Sequence, residues 1–148
     1  MKYYHYILIA IAILYTVSKL YPWIKRKRRG YVNYIKPKDL KARLDKGDDI
    51  YIADVRKPND FNGIIGHIDG AVNIPFSMLE KTIQSKEDEI KDLKNTPVVV
   101  TVDFDENYGF LAYIIFLKYG FKEVYLLDNG LSAWVKEGFL VTKDASNE

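Results

Sequence analysis

The stretch Pro97-Val98-Val99-Val100-Thr101-Val102 constrains the fold of this chain more than any other. A strand with one wet face alternates apolar and polar residues. This one is continuously apolar or β-branched, the pattern of a strand buried on both faces. Such a strand needs a covering layer on each side, and the flanking sequence supplies candidates. Lys38 to Lys46 carries Leu40 and Leu44 among charges, with Pro37 suited to a first turn and Gly47 to an end, which predicts an amphipathic helix. Ile50 to Val55 reads as a strand, Ala71 to Pro75 as a short strand stopped by proline, and Met78 to Leu93 as a charged, exposed helix. Tyr108, Leu111, Ala112, Ile115, Phe116 and Tyr119 recur at helical spacing up to Gly120. Val124 to Leu127 is a further strand, and Gly130 to Gly138 brackets a last helix holding Trp134. Alternation of strands and helices predicts the α/β class: a central parallel sheet flanked by helices on both faces. Ligands of such sheets sit beyond the carboxyl ends of the strands, so two loops matter most, the one after Asp54 and the one from Asp103 to Tyr108.

The N-terminal segment belongs to no such layer. From Tyr3 to Ser18 it carries no formally charged residue, and its centre runs Ile7-Leu8-Ile9-Ala10-Ile11-Ala12-Ile13-Leu14. A spanning helix wants about 20 apolar residues, a length reached here if Lys19 snorkels and Leu20 to Ile24 are counted. Tyr3, Tyr4 and Tyr6 at one end, and Tyr21 and Trp23 at the other, suit two interfacial aromatic belts. A cleaved signal peptide would carry its charge before the apolar run and a small-residue site after it, whereas here the heavy charge follows. The cluster Lys25-Arg26-Lys27-Arg28-Arg29 outweighs Lys2, so the positive-inside rule puts the remainder in the cytoplasm. The expected organisation is a transmembrane anchor over 1–24, touching lipid through residues 3–24, a basic linker over 25–31, one domain over 32–143, and a tail over 144–148. The run lacks the glycine pair of dimerising spans.

At 148 residues there is room for one core besides the anchor, and 48% hydrophobic with 28% charged residues are globular values. Residues 25–29 are all basic, which exceeds the net charge of +2, so the rest is mildly acidic and shows no nucleic-acid footprint. The chain has no cysteine, which excludes disulfides, thiolate metal sites and thiol nucleophiles together.

Asp54-Val55-Arg56, Phe61 and the stretch Gly66-His67-Ile68-Asp69-Gly70-Ala71-Val72-Asn73-Ile74-Pro75 resemble the first signature of the rhodanese family. Gly120-Phe121, Val124 to Gly130 and Trp134 resemble its closing segment, and together these span roughly Ile35 to Val141. The resemblance implies a rhodanese-like fold. Gly66 and Gly70 then serve turns that a side chain would obstruct, His67 is a hydrogen-bonded turn residue, Asp54 and Arg56 satisfy backbone groups and each other, and Trp134 is core.

Rhodaneses begin the strand–helix loop with a cysteine, followed by a glycine three positions on and an arginine five positions on. Helix N-terminus, backbone amides and arginine all favour a thiolate, a persulfide and an incoming anion. Family spacing counted back from Gly120 puts Asp103 at the cysteine, Glu106 at the glycine and Tyr108 at the arginine. Asp103, Asp105 and Glu106 therefore bring carboxylates to a place that elsewhere holds anions, and thiosulfate or phosphate would be repelled. No catalytic residue, metal ligand or cofactor is expected by this reading. The loop Asp103, Phe104, Asp105, Glu106, Asn107 and Tyr108 instead offers a surface for a protein partner, or caps the helix that follows. The competing expectation is an enzyme of unconventional chemistry, with Asp103 as nucleophile or base or with the acids holding a divalent cation.

Overall fold

The computed structural model describes residues 3–28, 32–103 and 106–143, with side chains left out for 22–28 and 106. The expected loop residues Phe104 and Asp105, part of the linker and the tail 144–148 lie outside the described residues. Two compact units result, one ending at Val32 and the other beginning at Asn33.

The first unit is helix α1, Tyr3–Arg28. At about 1.5 Å per residue its 26 residues extend roughly 39 Å. Tyr3–Tyr21 is long and apolar enough to cross a membrane, with a mean hydropathy of 1.3. Its threonine and serine hydroxyls turn inward to the helix backbone, Thr16 Oγ1 donating to Ile13 O at 2.8 Å and Ser18 Oγ to Tyr15 O at 2.7 Å. No side-chain donor of theirs is left for water. The helix does not stop at Pro22, nor at the expected start of the linker. It runs through the basic cluster to Arg28.

The second unit contains β1 (Tyr34–Ile35), α2 (Pro37–Asp45), β2 (Tyr51–Asp54), α3 (Pro58–Phe61), β3 (Val72–Asn73) and α4 (Phe76–Ser85). A 3₁₀ turn (Asp92–Asn95), β4 (Val98–Thr101), α5 (Glu106–Lys118), β5 (Val124–Leu127) and α6 (Gly130–Lys136) follow. The five strands form one sheet in the order β1-β5-β4-β2-β3, and every pairing is parallel. The expected both-faces burial of β4 is met, since Val98, Val99, Val100 and Thr101 are each fully buried. On one face Ile52, Val99 and Leu127 pack with Leu40 of α2 and Leu131 and Trp134 of α6. The opposite face is covered by α5, with α4 packed beside it.

Two local expectations fail for physical reasons, and two short elements went unread. The helix expected over 78–93 ends at Ser85, because Glu87, Asp88 and Glu89 would put three negative charges at the negative end of its dipole. The buried face of α5 is Gly109, Ala112, Tyr113 and Phe116, whereas Tyr108 and Leu111 are exposed. Small residues turn to the sheet because it lies close: a Cβ on Gly109 would meet Leu126 Cδ1 at 2.8 Å and Val102 Cγ2 at 3.2 Å. Strand β1 and the single turn α3 carry too few residues for a periodic signal.

Candidate functional site

Parallel pairing of β2 with β4 sets Asp54 opposite Thr101. Two residues further along each strand come Arg56 and Asp103, so the two carboxyl-end loops emerge side by side. Val55 N–H donates to Thr101 O at 3.1 Å, holding the loops in step. The Asn73 amide donates to Asp54 O at 3.0 Å and to Arg56 O at 2.9 Å, tying the β2 loop to β3.

Arg56 is the organising side chain. Its Nε donates to both Asp54 carboxylate oxygens at 2.9 and 3.0 Å, and its Nη2 to Asp54 Oδ2 at 2.7 Å and Gly66 O at 2.8 Å. Nη1 donates to Asp60 O at 3.1 Å and Asp103 Oδ1 at 3.3 Å. All five guanidinium N–H groups are therefore engaged. Asp54 and Arg56 are almost fully buried, at 0% and 4% side-chain exposure, whereas Asp103 keeps 28%. Burial works against the charge on Arg56, but hydrogen bonding and attraction to Asp54, then Asp103, outweigh it and hold its pKa above the usual arginine value.

The loop after β4 is fixed from the other side by the β5–α6 turn. Leu131 N–H donates to Val102 O at 2.7 Å. Gly130, at φ +61°, lies so close that a Cβ would sit 2.0 Å from Asp103 O and 2.3 Å from Val102 O. Gly66, at φ +77°, is approached as closely, since a Cβ there would meet Thr142 O at 2.4 Å. Gly70 has φ +76° but open space around it. Its requirement is therefore conformational only, a correction to the expected obstruction. His67 is buried, its ring stacked on Phe61 with centroids 3.7 Å apart and its Nδ1 3.1 Å from Phe61 O. Trp134 lies in the core and donates from Nε1 to Leu140 O at 2.9 Å.

Above these loops lies a cleft of about 410 Å³, lined by residues including Arg56, Lys57, Asp60, Phe76, Asp103 and Tyr108. That volume is within the range of small-ligand sites. Phe76 and Tyr108 form an aromatic wall, ring centroids 5.2 Å apart. Of the six candidate loop residues, Asp103 and Tyr108 line the cleft and Asn107 is exposed. Glu106 begins α5, and Phe104 and Asp105 lie outside the described residues. Sequence reasoning missed the reach of Arg56 to Asp103, and the contributions of Lys57, Asp60 and Phe76. Only the β2–β4 register, which no single segment contains, would have revealed the first.

The arrangement is chemically specific. The guanidinium has no donor left for an incoming anion, and no thiol exists anywhere in the chain. With Asp54 and Asp103 both within reach of Arg56, the three groups together carry one net negative charge. Fold and site thus define a parallel α/β domain with a preformed cleft at its strand carboxyl ends and no sulfur nucleophile within it. The Rhodanese-like domain profile matches residues 36–137, and the chain belongs to that family.

Among its relatives, a thiosulfate sulfurtransferase GlpE of Pseudoalteromonas translucida is 31% identical over 62% of this chain and 77% of that protein. An uncharacterized protein of Buchnera aphidicola is 33% identical over 52% of this chain, which spans only 49% of that relative. In structure, a thiosulfate sulfurtransferase of Pseudomonas aeruginosa superposes with a TM-score of 0.64 at 28% identity, over 76% of this chain and 20% of the other. The rhodanese-like domain of an Anabaena protein gives a TM-score of 0.62 at 27% identity, over 79% and 85%.

Proposed function

We propose that this protein is a rhodanese-like domain held at the cell membrane by residues 3–24, facing the cytoplasm, silent in sulfur transfer and working as a protein-binding or regulatory module. The observation that carries the reading is Asp103. A carboxylate already engaged by Arg56 occupies the loop where the family carries its cysteine, and the chain holds no other residue on which a persulfide forms. The fold around this loop is nevertheless kept in full, down to a cleft open to solvent. The apolar helix α1 and the basic residues after it support tethering and a cytoplasmic face. A role for Asp103 as nucleophile or base is disfavoured by the same ion pair, which draws electron density from the carboxylate as a whole.

The test is photo-crosslinking in intact membranes, with the probe at exposed Leu111, three residues after Tyr108 on α5. One or a few partners should be captured by the full chain, with capture lost in a chain lacking residues 1–24. Capture of nothing above background would sink the module reading. Thiocyanate release from thiosulfate and cyanide by clean protein would sink the claim of silence.

A further inference from the structure

We infer that the cleft is a binding site for an organic cation on an alkyl stem, the chemistry of an arginine or lysine side chain. The inference rests on the binding-module reading and says what that module would take hold of.

Four observations converge. Arg56 has every donor engaged within the domain, so the one buried cation at the cleft is closed to anionic ligands. Asp103 uses only Oδ1 in that network, and its Oδ2 has no hydrogen-bond partner among the described residues. The cleft lining and the Asp54 beneath it place three carboxylates, Asp54, Asp60 and Asp103, against two cations, Arg56 and Lys57. Lys57 is exposed, and its charge is matched by Asp60 in the same lining. Beside the Asp103 carboxylate stand Phe76 and Tyr108, with Tyr108 52% exposed, together with Pro75, Val55 and Val102.

This combination selects among ligands. A calcium or magnesium ion wants six or more oxygen ligands, whereas the walls here are largely aromatic and aliphatic. An anion meets the negative balance and a saturated arginine. A guanidinium or ammonium on a methylene stem fits both parts: its head reaches Asp103 Oδ2, and its stem and π-face lie along Tyr108 and Phe76. The 410 Å³ volume holds such a group with little distortion.

The probe is ethylguanidinium, with neutral ethylurea of the same shape as control, titrated against the full chain in nanodiscs of zwitterionic lipid by saturation-transfer NMR. Ethylguanidinium should bind in the millimolar range, and ethylurea at least tenfold more weakly. Asp103→Asn should weaken the cation about fivefold or more, Tyr108→Ala severalfold, and Asp92→Asn, in the 3₁₀ turn before β4, not at all. Equal binding of urea and guanidinium, or full binding by Asp103→Asn, would overturn the site. Tyr108→Ala gives a second reading on an exposed side chain whose loss leaves the fold in place.

A blocked Gly-Arg-Gly tripeptide distinguishes the source of the cation. Tighter binding than ethylguanidinium assigns a polypeptide side chain, and parity assigns a free small molecule. Crosslinked partners with no cation binding would remove this inference and leave the module reading standing. Cation binding with no crosslinked partner would do the reverse.

Discussion

Replacing Arg56 with methionine tests the structural account of the site most directly. The substitution keeps the aliphatic stem but strands Asp54, a carboxylate with no exposed side-chain surface, without its partner. Breaking a buried pair by removing one member costs about 3–5 kcal/mol. Gly66 O and Asp60 O also lose a charged donor, although both are backbone groups that water can reach if the loop relaxes. We expect a loss of about 4 kcal/mol, a large part of the roughly 5–15 kcal/mol that holds a domain of this size together. The melting temperature should fall by roughly 15–30 °C. Asp103→Asn is the matched comparison, because Asp103 is 28% exposed and its contact to Arg56 is the longest in the network at 3.3 Å. It should cost no more than about 1 kcal/mol. The assay is urea unfolding of the full chain in detergent, followed by tryptophan fluorescence, since urea leaves ion pairs unscreened. If Arg56→Met lost less than about 1.5 kcal/mol, or if the two substitutions cost the same, the claim that Asp54–Arg56 is the buried anchor and Asp103 its exposed appendage would be wrong.

Other outcomes follow from the same geometry. Gly130→Ala should destabilise by about 3 kcal/mol or more, because its Cβ would collide with Asp103 O and Val102 O, whereas Gly70→Ala, unobstructed, should cost only about 1 kcal/mol; urea midpoints separate them. Burial raises the Tyr51 pKa, and a hydrogen bond to Glu123 followed by burial raises that of Tyr125. Raised folded-state values mean stability that is intact below the unfolded tyrosine pKa of about 10 and lost as pH climbs through the folded ones. Melting temperature should therefore drop above about pH 10, and Tyr51→Phe should flatten the drop. Asp103→Cys should restore no thiocyanate production, because Arg56 stays committed to Asp54 and Tyr108 stands where the family has its arginine; ready turnover in that single variant would refute the account of the loop.

Much of the architecture could be read from local patterns. The valines of β4, the amphipathic α2 and the glycines at 47, 120 and 138, all now seen at positive φ, report on neighbours a few residues away. The two-residue β1 and one-turn α3 gave no such signal. For α5, apolar spacing pointed to a face including Tyr108 and Leu111. Contact distance decided instead, because any Cβ at position 109 would meet Leu126 and Val102.

By itself, the sequence determined what chemistry is absent and what segments must be covered: no thiol, an uncharged N-terminal run, a strand needing layers on both sides. These are properties of residue type and short-range order. Only the tertiary structure decided that Arg56 reaches across to Asp103, that its donors are exhausted in doing so, and that Phe76 joins Tyr108 in one wall. Such meetings depend on the register between strands 47 residues apart in the chain, which is set by the packing of the whole sheet.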